Sequence, residues 1–584
     1  MPLKITQTEM LLVYLTSAVL MLGVIWLIPI VNYASQMFYF GLIVMAVVLG
    51  FVVLRRPSRE GIFVTLVYAL VVRCLIPLSK PDPIIDNVTD VYNVRLAVLA
   101  LLHNGFLPAQ TAVTNLFVLL PGINLLLVSL QLISGIDLTV LLKYLPIFLV
   151  LPLFGAIPLA VRSLGIRSER AEVIATAIVV MTPFIMGNSP HTSPPGYGTV
   201  LFIIAVAFLL DLVTSDKRQF APCFVLVAFA VIIYHVTSAF FLAEFAILLS
   251  FVSAIPQLRK RAQIPQSSLI LLIVLIAVGA FYVSTSPNIS LQLVSFATLV
   301  FSSHPKATLS YVVPVGFKSL WMIMTEYSAF GLFGIIGLIA FLSKAKDLLL
   351  SKLFAGISIL IGLGFSGVWL LGFQQGTDLF TRIFILAFTG AAPLMGASIA
   401  RASDDSSRKL SLRISRHQLV KFAAGVFIAL TFLNSVFYGV FPYYYNTSIP
   451  LQVEDTRRNL EQWQAFGNFV SLHFPRDEFM RGPQLGLSLV GLYSNVSYYP
   501  FVPNAENTKP VVDASLFPYL SVVYRGQYVA VAQVMTIAQE APGYTPDIVT
   551  PSRIDTRLYD NGEQRLLIAI APERLLPPSN STNP

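Results

Sequence analysis

Long apolar runs alternate with short polar segments over the first 440 residues of the chain. A helix that crosses a bilayer needs about 20 largely apolar residues, and this length recurs along the sequence. The pattern predicts about 13 transmembrane helices. Their predicted bounds are 9–31, 37–54, 60–78, 139–161, 171–187, 198–214, 220–235, 237–256, 266–284, 329–343, 353–373, 383–400 and 419–440.

A further apolar run, residues 113–133, differs from these helices. It carries Pro121-Gly122 in its middle, and no basic residues flank it. Proline and glycine together interrupt a helix. We therefore predict juxtamembrane or re-entrant helices here, within a large first external loop at 79–138.

The pattern changes after residue 440. Residues 451–474 have apolar positions at helical spacing, and short strand-like runs follow at Tyr519–Tyr524 and Tyr528–Val534. Residues 557–570 place two strand-like runs around Asn561-Gly562, a hairpin signal. The predicted fold class is an α-helical polytopic membrane protein, with a transmembrane domain at 1–440 and a small extracytoplasmic α/β domain at 441–584.

The composition agrees with a membrane protein. Of the 584 residues, 56% are hydrophobic and only 11% are charged, and the mean hydropathy is +0.76. This excludes a soluble multidomain enzyme, a disordered chain and an ordinary nucleic-acid-binding protein. The two cysteines, Cys74 and Cys223, lie in apolar runs, which excludes a disulfide-rich ectodomain and a cysteine-based metal site.

Charge predicts the orientation. Residues 1–440 hold 28 Lys and Arg against 16 Asp and Glu, whereas residues 441–584 hold 10 against 13. Basic residues mark cytoplasmic loops, so we predict a multi-pass plasma-membrane protein with a cytoplasmic N-terminus and residues 441–584 outside. All five glycosylation sequons then lie on the external side. They are Asn87, Asn288, Asn446, Asn495 and Asn580.

The densest polar stretch of the first 400 residues is Lys80–Pro108, in the predicted first external loop. Asp82, Asp86 and Asp90 recur at a spacing of four, which places them on one face of a helix. Pro83 disturbs the helical turn between Asp82 and Asp86. The prediction of a shared helix face is therefore stronger for Asp86 and Asp90. One carboxylate at the membrane boundary can act as a general base, and two can bind Mg²⁺ or Mn²⁺. A solvated acidic loop is the alternative.

Several short motifs occur along the chain. They are Asp-x-Tyr at Asp90–Tyr92, the apolar helix ending in His103–Pro108, the Pro121-Gly122 helix, the junction Tyr234–Ser238, the late loop Gln374–Arg382 and the hairpin Leu558–Gly562. Together these motifs resemble the GT-C superfamily, whose members are polytopic glycosyltransferases that use polyprenyl-phosphate-linked sugars. The C-terminal domain resembles those of archaeal members.

The resemblance implies a function and its residues. Asp90 matches the catalytic aspartate best, with Asp86 as an alternative. No Asp-x-Asp occurs in the first loop and no Trp-Trp-Asp in the terminal domain, so transfer of a single sugar is favoured over oligosaccharide transfer to asparagine. The acceptor is a glycan, lipid or protein at the extracytoplasmic face. The residues predicted to bind the donor phosphate are Arg382, Lys318, His235 and Arg95. The alternative is that they are ordinary interfacial or structural residues.

Two ionisable residues lie within predicted spans, Arg73 and Glu244. Charge at that depth faces a cavity or a partner, so we expect the two to pair or to line the entry for the donor, and favour pairing. Two other function classes compete with the enzyme. One is a transporter or flippase of lipid-linked sugars, disfavoured because no inverted repeat is visible. The other is a non-catalytic membrane scaffold.

Overall fold

The structure, a computed structural model, describes helices and strands over much of the chain. The described residues are 44, 47, 48, 50, 59–79, 88–105, 121–182, 185, 192, 194–214, 220–256, 332–343, 348–370, 389–401, 423, 425–433, 460–473, 511–513, 529–531, 537–539, 555–560 and 565–569.

The chain divides into two compact units. The first unit comprises residues 1–81, 110–306 and 318–445, and the second comprises 82–109, 307–317 and 446–584. The second unit therefore includes part of the predicted first external loop together with the C-terminal segment, and the boundary predicted from the sequence lies at residue 440.

The described part of the first unit is helical. Its helices are α1 Arg59–Ser79, α3 Gly122–Ser134, α4 Leu138–Tyr144, α5 Leu153–Ser163, α6 Glu169–Val180, α7 Pro194–Thr214, α8 Ala221–Tyr234, α9 Val236–Ala254 and α10 Leu349–Leu370. A 3₁₀ helix at Leu145–Val150 connects α4 to α5. Further helical segments lie at 332–342, 389–401 and 425–433. Predicted spans 9–31 and 266–284 lie outside the described residues.

Local sequence explains several helix ends. The helix α3 begins at the predicted Pro121-Gly122 break and ends at Gly135, whose φ of 69° is favourable for glycine. Asp137 caps α4, because its carboxylate accepts the Thr139 amide at 2.8 Å. Ser168 caps α6 in the same way through the Ala171 amide. The capping residues therefore fix where each helix starts.

The helices are apolar on their outward faces as well as their buried ones. In α8, Phe224 and Val231 are buried, yet Leu226 is 70% exposed and Phe229 is 52% exposed. A helix that is hydrophobic all round suits lipid surroundings. Two described stretches, Leu138–Ser163 and Gly196–Thr214, are long and apolar enough to cross a membrane.

Small residues bring helices of this unit close together. A Cβ at Gly396 would lie 2.6 Å from the Ala171 carbonyl oxygen of α6, and a Cβ at Gly390 would overlap the Ser358 hydroxyl of α10. Such contacts let helix backbones approach closely, as in membrane helix bundles.

The second unit contains α2 Val88–Asn104, α11 Leu460–His473 and the described strands. β4 Asp555–Asp560 and β5 Arg565–Ala569 pair antiparallel, which confirms the predicted hairpin, and β1 Val511–Asp513 adds to β5. β2 Val529–Val531 pairs with β3 Ile537–Gln539. The predicted strand Tyr519–Tyr524 lies outside the described residues.

Candidate functional site

His235 interrupts two helices of the first unit. Its amide donates to the Val231 carbonyl at 3.0 Å and ends α8, while its own carbonyl accepts the Ala239 amide at 3.0 Å and begins α9. The backbone at His235 is extended, with φ −158° and ψ 115°. The residue is therefore the C-cap of α8 and the N-cap of α9.

The imidazole of His235 is held by the turn that follows it. Its Nδ1 accepts the Ser238 amide at 3.3 Å and lies 2.8 Å from the Ser238 hydroxyl oxygen. Because Nδ1 accepts the amide proton, a neutral ring carries its own proton on Nε2. The side chain is 9% exposed, so the junction holds the ring in one orientation in a mostly buried place.

Two glycines fit tightly against this junction. A Cβ at Gly198, near the start of α7, would lie 2.9 Å from Cγ of His235 and closer still to its Cβ. A Cβ at Gly122, the first residue of α3, would lie 2.5 Å from Cε2 of Tyr234 and closer still to Cδ2. The structure thus joins two separate motifs of the sequence, the Pro-Gly helix and the Tyr-His junction.

A second aromatic ring completes the group. Tyr197 stacks on Tyr234 with ring centroids 6.1 Å apart and an angle of 21° between the planes. Tyr197 is buried, and its hydroxyl meets no partner with hydrogen-bond geometry among the described residues, although Thr192 lies nearby. We call Tyr197, Gly198, Tyr234, His235 and Ser238 the tyrosine–histidine cluster.

Arg73 lies beside this cluster and is only 1% exposed. Its Nε donates to the Ile147 carbonyl at 3.2 Å, Nη1 donates to the Ile185 carbonyl at 2.9 Å, and Nη2 donates to the Pro146 carbonyl. It also interacts electrostatically with Tyr197. The guanidinium therefore fastens α1 to the 3₁₀ helix and fixes a positive charge near the cluster.

The expected pairing of Arg73 with Glu244 is wrong. Main-chain carbonyls accept from Arg73, and the half-buried Glu244 forms no ion pair with it in the described part of the chain. Oε2 of Glu244 is buried without a hydrogen-bond partner there. Arginine suits the carbonyl site because its planar fork presents several donors at once.

Some of the other predicted site residues belong to the described part of the structure, and the rest do not. Asp90 lies on the first turn of α2, with only its backbone described, and Arg95 lies on the same helix, half-buried. Arg382, Lys318 and Asp86 lie outside the described residues, and so do the five asparagines of the sequons. Their roles stay predictions.

The predicted divalent cation stays a prediction as well. Within the described ranges, no group of three or more His, Cys, Asp or Glu side chains lies close enough to hold a metal ion. The carboxylates of Asp86 and Asp90, the predicted ligands for Mg²⁺ or Mn²⁺, are not part of those ranges.

Sequence reasoning missed Tyr197 and Gly198. Both belong to the segment Pro194-Pro195-Gly196-Tyr197-Gly198 at the start of α7. Two prolines begin a helix well, and the glycines on either side of a tyrosine indicate close contact with a neighbouring helix. This sequence pattern predicts a helix start that packs closely against another helix. It does not identify which helix that is.

Comparisons with known proteins find matches among solved structures, 19 chains in all. No protein-family model matches the sequence, and no curated protein does. Two similar solved structures are of ArnT from Cupriavidus metallidurans. The one bound to undecaprenyl phosphate has a TM-score of 0.49 and 11% identity, covering 88% of this chain and 98% of that chain. The apo state has a TM-score of 0.48 and 10% identity, with coverages of 87% and 98%. These values assign no family or activity to the chain.

Proposed function

We propose that this protein is a membrane glycosyltransferase of the GT-C type. It moves a single sugar from a polyprenyl-phosphate donor to a glycan, lipid or protein acceptor at the extracytoplasmic face. In this proposal the tyrosine–histidine cluster binds the phosphate of the sugar donor. Asp90 acts on the hydroxyl group of the acceptor.

The observation that carries the proposal is the helix break at His235. A polyprenyl-phosphate has a long apolar chain and a charged phosphate, so its site combines apolar helices with fixed donors at one end. The outward faces of α8 are apolar, and the break between α8 and α9 holds the His235 ring in one orientation. The first amides of a helix also favour an anion.

The neighbouring groups suit a phosphate. Arg73 keeps a positive charge near Tyr197, and charge in a site of low dielectric acts strongly on a phosphate. Nε2–H of His235 donates to a phosphate oxygen in this account. Arg382, Lys318 and Arg95 remain the further proposed phosphate ligands, since each is a cation that the sequence predicts to be outside.

Asp90 is the proposed general base or acceptor-orienting carboxylate, with Asp86 as its helper or alternative. A carboxylate takes the proton of the acceptor hydroxyl as that oxygen attacks the anomeric carbon, and the polyprenyl phosphate leaves. If a cation takes part, Asp86 and Asp90 are its proposed ligands, and it would neutralise the leaving phosphate.

The test is transfer by the purified full-length protein in nanodiscs. Radiolabelled mannose and glucose on dolichyl phosphate and on undecaprenyl phosphate serve as donors, and membrane glycans and lipids serve as acceptors. The proposal expects labelled product from at least one donor, with loss of the lipid-linked label. Asp90→Asn should lower the rate of transfer about 10²- to 10⁴-fold.

A flippase and a scaffold give different results. Sealed vesicles with a donor lipid on one leaflet would show protein-dependent translocation without product if the chain were a flippase. A scaffold would show neither product nor translocation. The transferase proposal would be rejected if the wild-type protein consumed no donor and the Asp90→Asn variant performed as well as the wild type in the translocation assay.

A further inference from the structure

A second polar site lies at the other end of α7 from the tyrosine–histidine cluster. Gly198 contacts His235 near the start of α7, whereas the Ser163 hydroxyl donates to Asp211 of the same helix at 3.2 Å, near its end. At 1.5 Å per residue these two positions are about 20 Å apart. The basic loop that follows Ser163 is predicted to be cytoplasmic, so the two sites face opposite leaflets.

A pocket of about 450 Å³ lies at the same end of α5 and is lined in part by Arg162, the residue before Ser163. Its size falls in the range of small-molecule sites. We call it the α5–α6 pocket, and it is lined by Ile62, Phe154, Gly155, Pro158, Leu159, Arg162, Glu169, Glu172 and Val173.

An ion pair forms the polar wall of the α5–α6 pocket. Arg162 Nε donates to Glu172 Oε1 and Nη2 donates to Oε2, both at 2.7 Å. The Glu172 side chain is only 6% exposed, but that of Arg162 is 63% exposed. Both carboxylate oxygens are therefore engaged, while Nη1 of Arg162 hydrogen-bonds to none of the described residues and remains open to a ligand.

A second carboxylate lies at the same wall. Glu169 is exposed in the first turn of α6 and interacts electrostatically with Arg162. One guanidinium and two carboxylates give the wall a net charge of −1. A wholly anionic ligand does not match this wall, whereas a ligand with both a phosphate and an ammonium does.

The other residues that line the pocket are apolar, and an exposed apolar side chain lies next to them on α1. Ile62, Phe154, Leu159 and Val173 line the pocket. Phe63, next to Ile62 on α1, is 64% exposed. A Cβ at Gly155 would meet no heavy atom within 4 Å, so the space at this position is empty of side chains. Acyl chains can lie along this face while a headgroup occupies the polar wall.

We propose that the α5–α6 pocket binds an aminophospholipid of the cytoplasmic leaflet, of the phosphatidylethanolamine type. Arg162 Nη1 donates to the lipid phosphate, and Glu169 accepts from the primary ammonium. Glu172 keeps Arg162 in position. The acyl chains follow the apolar wall beside Ile62 and Phe154.

The experiment measures lipids retained by the delipidated full-length protein, by native mass spectrometry with dioleoyl phosphatidylethanolamine, phosphatidylcholine and phosphatidylglycerol. We expect phosphatidylethanolamine to bind at least tenfold more tightly than the other two. Gly155→Phe fills the pocket and should weaken this binding at least tenfold. Gly334→Phe is the matched control, because Gly334 is also a helical glycine with no heavy atom within 4 Å of a Cβ.

A second pair of variants tests the headgroup. Glu169→Gln removes the partner of the ammonium and should abolish the preference for phosphatidylethanolamine over phosphatidylcholine, while Arg167→Gln, an exposed residue outside the pocket, should leave it unchanged. Glu169 is exposed, so this pair decides the question even where Gly155→Phe does not fold.

Three results would overturn the proposal. The first is equal retention of phosphatidylethanolamine by wild type and Glu169→Gln. The second is preferred binding of phosphatidylglycerol, which would indicate an anion site. The third is displacement of the lipid by soluble O-phosphoethanolamine at equal concentration, which would indicate a soluble headgroup ligand rather than a membrane lipid.

Discussion

Gly122 lies directly against the ring of Tyr234, and no Cβ fits between the start of α3 and the end of α8. These residues are 112 positions apart in the sequence. The contact fixes the end of α8, and with it the helix break at His235 on which the proposed donor site depends.

Gly122→Ala should lower stability through this contact. The added methyl group displaces the Tyr234 ring, and overpacking of this kind costs about 1–3 kcal/mol. The measurement is thermal unfolding in detergent. Gly334→Ala, where a Cβ meets open space, should not lower the Tm.

The Tyr234→Ala background provides a further check on this contact. With the ring removed, Gly122→Ala should cost little. An equal loss of Tm from Gly122→Ala in both backgrounds would show that the ring contact is not the cause.

Arg73→Lys should destabilise the helical unit. A lysine ammonium lacks the planar fork that joins the carbonyls of Pro146, Ile147 and Ile185. Buried carbonyls left unpaired cost about 1–3 kcal/mol each. Thermal unfolding should show a clear fall in Tm, whereas Arg167→Lys, at an exposed position, should show none. Equal Tm values for the two variants would contradict this role of Arg73.

His235→Asn separates the capping role of the histidine from its proposed role towards the donor. Asparagine caps helices well, so α9 should stay folded, but the N–H at Nε2 is lost. Loss of one hydrogen bond to a charged phosphate is about 1.5–3 kcal/mol, which is about 10- to 150-fold in the KM for the lipid donor. An unchanged KM with full Tm would limit His235 to its structural role.

The orientation predicted from the basic loops has its own test. After replacement of Cys74 and Cys223 by alanine, a cysteine at Ser448 should react with a membrane-impermeant maleimide in intact cells. A cysteine at Ser406 should react only after permeabilisation. The reverse labelling pattern would place the C-terminal domain in the cytoplasm and refute an extracytoplasmic active site.

Hydrophobic pattern and turn chemistry predict most of the described helices. The break at Pro121-Gly122 and the β4–β5 hairpin are predictable because proline and the Asn-Gly pair restrict the backbone locally. Local signals of this kind do not depend on which distant segment lies next to them.

The contacts of the candidate site are not predictable in the same way. The sequence singles out His235, but its neighbours Gly122 and Gly198 come from other helices, and nothing local identifies which ring a glycine will contact. A prediction from charge alone pairs each buried cation with an acidic side chain, and it therefore assigns Glu244 to Arg73. Its acceptors are main-chain carbonyls, which carry no sequence signature.

The central claim is that Asp90 performs the transfer chemistry, and the turnover of Asp90→Asn tests it most directly. The matched control is Asp137→Asn, because Asp137 is an exposed carboxylate that caps α4 and asparagine caps equally well. With a polyprenyl-phosphate sugar as donor, kcat should fall about 10²- to 10⁴-fold in Asp90→Asn, with the Tm unchanged and Asp137→Asn fully active. Full turnover in Asp90→Asn, and also in Asp86→Asn and Asp82→Asn, would contradict the account.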